Sequence, residues 1–251
     1  MQDKSAGPAR GLKAWLTATP ILGPVARSLA RSGPVAAVRR QLRFRGSSDY
    51  WEQRYRAGGT SGAGSYGRLA EFKAEILNDF VAREGIASIV EFGCGDGAQL
   101  ALAQYPDYVG IDVARTSIAL CSTRFAEDPA KRFFLASEVP GDLASADLAM
   151  SLDVIYHLVE DAVFDAYMRQ LFASSHRFVA IYASDTARAT DSPHVRHRNF
   201  TGWIERHAPE WRLAGHVPNR YPYDPAAPEE TSFADFYFFE REVGSGAVAS
   251  M

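Results

Sequence analysis

From residue 88 onward the sequence alternates short apolar runs with amphipathic segments. No other feature restricts the fold as strongly. SIVEF (88–92), YVGID (108–112), RFFLA (132–136), DLAMSL (147–152) and RFVAIY (177–182) each have the length and composition of a buried strand. A helix is expected ahead of the first, over 68–84. There Leu69, Phe72, Ile76, Leu77 and Phe80 recur at helical spacing, and Gly85 marks the stop. Further helices are expected over 97–105, 115–127 and 160–175. Strands joined through helices run parallel, and a parallel sheet is covered on both faces. WRLAGHV (211–217) and DFYFFE (235–240) have no helical segment between them, which predicts an antiparallel hairpin at one edge. The expected class is therefore α/β, with a mostly parallel seven-stranded sheet.

A hydrophobic fraction of 47% lets 251 residues bury a large core, and no apolar run is long enough to cross a bilayer. The two cysteines, Cys94 and Cys121, are too few for a disulfide framework and favour a reducing, cytoplasmic setting. Charge is unevenly spread. Residues 1–46 carry nine lysines and arginines against one acid, Asp3, a balance of +8 that leaves −11 for the rest and −3 overall. The chain thus divides into a basic arm (1–46), a lid segment with a glycine-rich loop (47–67), a main domain (68–243) and a flexible tail (244–251). Prolines 8, 20, 24 and 34 break any long helix in the arm. Its last piece, 35–44, sets Val35, Val38 and Leu42 against Arg39, Arg40 and Arg43. That pattern suits a peripheral contact with the inner face of a membrane, an acidic partner, or a solvated extension. Prolines and arginines interrupt every apolar stretch that a signal peptide would need.

Two glycine-rich stretches compete for a ligand: AGGTSGAGSYG (57–67) and EFGCGDG (91–97). The first lacks the Gly-Lys-Ser/Thr ending of a phosphate-binding P-loop. The second follows a strand, and its glycines allow a tight turn and a close approach of backbone to ligand. Twenty-one residues after Glu91, at the tip of the next strand, stands Asp112, placed to accept hydrogen bonds from two ribose hydroxyls. Glu91 sits two residues before the first glycine. A carboxylate there repels a pyrophosphate and suits a cofactor with an ammonium group and no phosphate.

Residues 90–97 and 108–112, with the order of elements up to the terminal hairpin, resemble the class I S-adenosylmethionine-dependent methyltransferases. The resemblance spans about residues 49–242 and implies a Rossmann-like fold and methyl transfer from S-adenosylmethionine, with S-adenosylhomocysteine as product. It assigns Glu91, Gly93, Gly95 and Gly97 to the methionine end of the cofactor and Asp112 to its ribose. The third strand of such proteins ends in a residue that meets the adenine, often an acid. Here only Ser137 and Glu138 are on offer. SLDVIYHL (151–158) is similar to the S-x-[DE]-V-x-x-H-[LIV] stretch of small-molecule methyltransferases. That places Ser151, Leu152 and Asp153 beside the methionine and His157 near the transferred methyl.

His157 is either a general base, its ordinary pKa of about 6.5 suiting neutral pH, or a satisfied core group. Asp153 is the residue placed to orient it. SSDYWEQRYR (47–56) resembles a segment that folds over the cofactor in several small-molecule methyltransferases. Tyr50, Trp51, Arg54 and Tyr55 are accordingly lid candidates, with Arg54 on the cofactor carboxylate and Trp51 and Tyr55 toward substrate. The glycine loop behind them is a hinge, a pocket floor or a plain connector. HVRHR (194–198) offers Arg196 and Arg198 to an anionic acceptor, or is a solvated loop. No metal site is expected, because no carboxylate stands at ligand spacing from the histidines. Nucleic acid is disfavoured as a substrate. There is no N-P-P-[YF] stretch, no Pro-Cys nucleophile, and the main domain is acidic. A small polar acceptor, sugar-like or anionic, fits best. A protein methyltransferase and a non-catalytic interaction module are the alternatives.

Overall fold

The computed structural model describes residues 46–242 apart from 142, 144, 191 and 193. The basic arm, its 35–44 stretch and the tail lie outside the described residues. In chain order the elements are α1 (Ser47–Arg56), α2 (Gly67–Arg83), β1 (Ser88–Phe92), β2 (Asp107–Asp112), α3 (Arg115–Arg124), β3 (Lys131–Leu135) and β4 (Ala146–Leu152). Then follow α4 (Asp161–Ala173), β5 (Ser175–Ala183), α5 (Phe200–His207), β6 (Trp211–Val217) and β7 (Asp235–Arg241).

The seven strands form one sheet in the order β3-β2-β1-β4-β5-β7-β6. β1 to β5 pair in parallel, while β7 runs antiparallel to both β5 and β6. The expected α/β class and edge hairpin are both present. The first crossovers run outward from β1 to β2 and β3, and the later ones run through β4 and β5 on its other side. The order therefore reverses between β1 and β4, and the carboxyl ends of those two strands frame the crevice where ligands bind in such sheets.

Two apolar layers cover the sheet. On one face Phe72, Leu77, Phe80 and Val81 of α2 pack with Ile89, Tyr108, Leu148 and Phe178. On the other, Phe164, Met168, Leu171 and Phe172 of α4 pack with Val90, Val179 and Trp203. Both faces of the sheet are covered, so β1 is buried continuously from Ile89 to Phe92, Glu91 included.

Two expectations fail. Only a single 3-10 turn, Leu100–Leu102, forms within 97–105. The Asn78 side chain of α2 closes off this turn, donating to the Leu102 carbonyl (3.0 Å), which Pro106 could not pair in a helix, and accepting from the Gln104 N–H (2.9 Å). Conversely, α5 was missed, although Phe200, Trp203 and Ile204 are spaced for a buried helical face.

Candidate active site

The glycine turn after β1 supplies the scaffold. Gly93, Gly95 and Gly97 have φ of 88°, 61° and 74°, a backbone region that a Cβ penalises. Space excludes side chains as well. A Cβ on Gly93 would lie 2.3 Å from Val154, and one on Gly95 would lie 2.3 Å from Ser61 Oγ. The second contact is unexpected, because Ser61 belongs to the other glycine-rich loop. The two stretches touch.

That first loop is a roof. The Ser61 amide donates to Asp96 Oδ2 (2.9 Å), the Asp96 amide donates to Ser61 Oγ (2.9 Å), and the Tyr66 hydroxyl donates to Asp96 Oδ2 (2.7 Å). Burial opposes the charge on Asp96, but hydrogen bonds from Tyr66, Ser61 and Ala98 outweigh it and hold its pKa below the usual carboxylate value. Gly64 comes so close that a Cβ would sit 2.6 Å from the Asp153 carboxylate. Ahead of the loop, α1 spans the crevice. At one end the Ser47 hydroxyl is 2.6 Å from the His157 carbonyl. On its other side Glu52 accepts from the Thr116 hydroxyl (2.9 Å) at the start of α3.

Beneath this cover lies a cavity of about 460 Å³. Trp51 and Tyr55 of α1, Ser61, Lys73, Glu91, Gly93, Gly95, Gln99, Asp112, Leu152, Asp153 and His157 all line it. Leu158, Val163, Ala166 and Tyr167 make its opposite wall apolar.

Its charges are arranged in opposition. Lys73, almost wholly buried, sets its ammonium 2.6 Å from Asp153 Oδ2, and Tyr156 donates to Asp153 Oδ1 (2.7 Å). Asp153 holds φ 59°, and no other non-glycine residue among those described has positive φ. Glu91 is fully enclosed. Burial pushes its pKa up to about 7, opposed by the Tyr108 hydroxyl at 2.6 Å and by the charge of Lys73. Asp112 is likewise raised by burial, although it accepts from the amides of Gly95 (3.0 Å) and Ala114 (2.8 Å). Gln99 donates to the Ala70 carbonyl, and its buried Oε1 has no partner among the described residues. A zwitterionic amino-acid end fits these groups, with Lys73 facing a carboxylate, and Glu91 and Gln99 Oε1 able to accept from an ammonium. The orphaned oxygen is the feature such a ligand would satisfy.

His157 keeps its place but not its expected pKa. Burial pulls it down to about 4, so the ring is neutral at neutral pH. Nδ1 lies 2.9 Å from the His194 carbonyl. A carbonyl only accepts, so Nδ1 carries the proton and the Nε2 lone pair is the basic one. Asp153 does not orient this ring, since its two oxygens are taken by Lys73 and Tyr156.

Several other residues stand away from the cavity. Ser151 is buried, bonded by the Tyr167 hydroxyl (2.7 Å), and does not line the space. Gly97 packs on Phe125 and Cys121 instead. Ser137 and Glu138 are exposed, Glu138 in an ion pair with Arg115, and the neighbouring Ala136 lines the cavity in their stead. Arg54 donates to the Thr60 carbonyl (2.6 Å) and braces the roof. Tyr50 stacks on His194 with ring centroids 4.6 Å apart.

Arg196 and Arg198, expected at an anionic acceptor, do not line this cavity. They clasp the turn that carries His157. Arg198, 7% exposed, donates from Nη2 to the carbonyls of Leu158 (2.6 Å) and Val159 (2.9 Å) and pairs with Asp161. The Arg196 amide donates to the Tyr156 carbonyl (2.7 Å) and its guanidinium to the Val159 carbonyl (3.0 Å). Sequence reasoning overlooked Lys73, Asp96, Gln99 and Ser61. Lys73 left a readable signal, because it lies four residues from both Leu69 and Leu77 on the apolar stripe of α2.

A family profile described as "Methyltransferase domain" matches residues 90–181, the stretch from β1 through β5. No curated protein matches the chain significantly in sequence. Among solved structures, the N-methyltransferase NodS from Bradyrhizobium japonicum WM9 in complex with S-adenosyl-l-homocysteine superposes with a TM-score of 0.57 at 16% identity, over 78% of this chain and 98% of that one. Magnesium protoporphyrin IX methyltransferase (ChlM) from Synechocystis PCC 6803, with bound SAH, gives 0.55 at 14%, over 78% and 98%. The small RNA methyltransferase HEN1 gives 0.52 at 16%, over 71% of this chain and 26% of that one. The fold likeness reaches an RNA methyltransferase, so the exclusion of nucleic acid rests on sequence features alone. No helix among the described residues is long and apolar enough to cross a membrane.

Proposed function

We propose that the chain is a class I S-adenosylmethionine-dependent methyltransferase and that it methylates a small polar acceptor in the cavity beneath α1. One observation carries this reading. The same enclosed space is lined by Glu91, Gly93, Gly95 and Asp112 of the cofactor-type turn and by His157, Trp51 and Tyr55 on the far side. A non-catalytic module has no need of an open space that joins the two. The volume lies within the range of small-ligand sites.

S-adenosylmethionine, when bound, supplies a methyl group already activated on a sulfonium. The chain's residues then have four tasks. Asp112 and the glycine turn accept the nucleoside and methionine ends. Lys73, Glu91 and Gln99 match the charges of the amino-acid end. The α1 cover excludes water and holds the acceptor in line, where most of the rate gain of such a displacement arises. His157, neutral with a free Nε2 lone pair, takes the acceptor's proton, a contribution of about 10²–10⁴ for a hydroxyl acceptor.

The test is a screen of hydroxyl- and amino-bearing small metabolites, read as release of S-adenosylhomocysteine. Transfer to a small acceptor that is lost in both His157→Gln and Trp51→Ala supports the reading. Transfer confined to RNA or to protein overturns it.

A further inference from the structure

On the far side of the turn that carries His157 lies a second cleft, of about 560 Å³, lined by Arg188, Arg196, Arg198, Arg206, His197 and Trp203 among others. Among the described residues no aspartate or glutamate lines it. Arg198 and Arg196 are committed to the backbone of residues 158–159 and to Asp161. Among the described residues Arg206 uses only Nε, on the Gly202 carbonyl (2.7 Å). The guanidinium of Arg188 makes no hydrogen bond or ion pair among the described residues, although its charge lies near enough to depress His197 after burial. Phe164, Val195 and Trp203 give the cleft an apolar lining beside these cations.

We propose that this cleft is a second binding site, for a small phosphate-bearing molecule. Two guanidinium groups with unused N–H donors match phosphate oxygens in charge and geometry, and the aromatic lining accommodates the remainder of such a ligand. The wall between cleft and cavity is one turn thick: His157 and Leu158 line the cavity, and Val159 lines the cleft. Because Arg198 and Arg196 hold that wall, an anion held beside them by Arg188 and Arg206 bears on the backbone that positions His157. The site stands whether or not the cavity transfers methyl groups. The phosphate belongs either to the acceptor itself, reaching over the rim, or to a separate molecule.

Of the chain's four tryptophans, Trp51 lines the cavity and Trp203 the cleft, so indole N–H signals of ¹⁵N-tryptophan-labelled full-length protein report each space separately. Titration with inorganic pyrophosphate at constant ionic strength should move the Trp203 signal saturably in the millimolar range and leave Trp51 in place. Arg188→Gln alone should weaken that response, and Arg188→Gln combined with Arg206→Gln should weaken it about ten-fold or more. Both side chains are exposed, and unchanged signals from the other indoles certify the fold. Glucose 1-phosphate that moves both Trp203 and Trp51 identifies the phosphate as the acceptor's, and movement of Trp203 alone identifies a separate ligand. No saturable movement of Trp203 with pyrophosphate, or an equal response in the folded double variant, overturns the proposal.

Discussion

Ser61 and Asp96 bond each other twice: the Ser61 amide donates to the Asp96 carboxylate and the Asp96 amide donates to the Ser61 hydroxyl, each at 2.9 Å. The two glycine-rich stretches of the chain are thereby parts of one device. The turn at 91–97 forms the floor of the cavity, and the loop at 57–67 is drawn down over it. Asp96→Ala removes the charged acceptor that Ser61 and Tyr66 share. It should weaken S-adenosylhomocysteine binding about ten-fold and speed proteolysis within 57–63, a loss appropriate to one or two charge-assisted hydrogen bonds. Unaltered affinity together with unaltered cleavage would show that the loop closes without this tie.

Cofactor affinity should rise with pH. Burial leaves Glu91 protonated until about pH 7 in the empty protein, whereas a ligand that brings an ammonium group favours the ionised form. Binding then releases a proton below the transition. Affinity climbs by about ten-fold per pH unit there and levels off above it. The stability of the empty protein runs the other way. Between about pH 4.5 and 7 the folded state holds a proton that the unfolded state has lost, so stability falls as pH rises through that window. Glu91→Gln should flatten both slopes. Isothermal titration at several pH values and thermal melts measure the two, and a pH-independent affinity in the wild type would contradict the assignment.

His157 should remain neutral well below its ordinary range. Nuclear magnetic resonance of the imidazole should show the Nδ1–H tautomer at pH 5, with the transition near pH 4. The folded state then holds fewer protons than the unfolded state between about pH 4 and 6.5, and across that window this residue makes stability rise with pH. Once an acceptor is known, kcat should be flat in this group from pH 6 to 9, and His157→Gln should lower it by about 10²–10⁴ with little change in cofactor affinity. A midpoint near 6.5 would mean the ring is far more solvated than its packing against Trp51 and Tyr156 implies.

Arg198 should matter through structure. Arg198→Ala strips the Leu158 and Val159 carbonyls of their donor and leaves Asp161 without its buried partner, costing about 2–4 kcal/mol in chemical denaturation. Arg196→Ala, at an exposed side chain, should cost under about 1 kcal/mol. Equal, negligible effects would show that the clasp does not hold the His157 turn.

The strand alternation, the edge hairpin and the glycine turn with Asp112 were all readable because each follows from a local pattern: a period, a missing helix, a backbone that a Cβ forbids. What escaped reading was long-range pairing. Nothing near Ser61 announces that its partner is Asp96, thirty-five residues on. The two arginines of HVRHR look like anion binders, yet both donate to carbonyls some forty residues away in sequence. Where local spacing favoured a helix over 97–105, Asn78 reaches across from α2 and binds the backbone at Leu102 and Gln104. The pKa of His157 was misjudged for a related reason. Its surroundings come from α1 and from His194, and neither is adjacent in sequence.

The central claim, that the Glu91–Gly97 turn and Asp112 hold S-adenosylmethionine in the cavity beneath α1, is tested most directly by calorimetric titration of the full-length chain and its Asp112→Ala variant with S-adenosylhomocysteine. The account predicts a single site in the wild type and a loss of about 1.5–3 kcal/mol in the variant, the range for hydrogen bonds to a charged group. Absence of binding at millimolar ligand by folded wild-type protein, or equal binding by the folded variant, would contradict it.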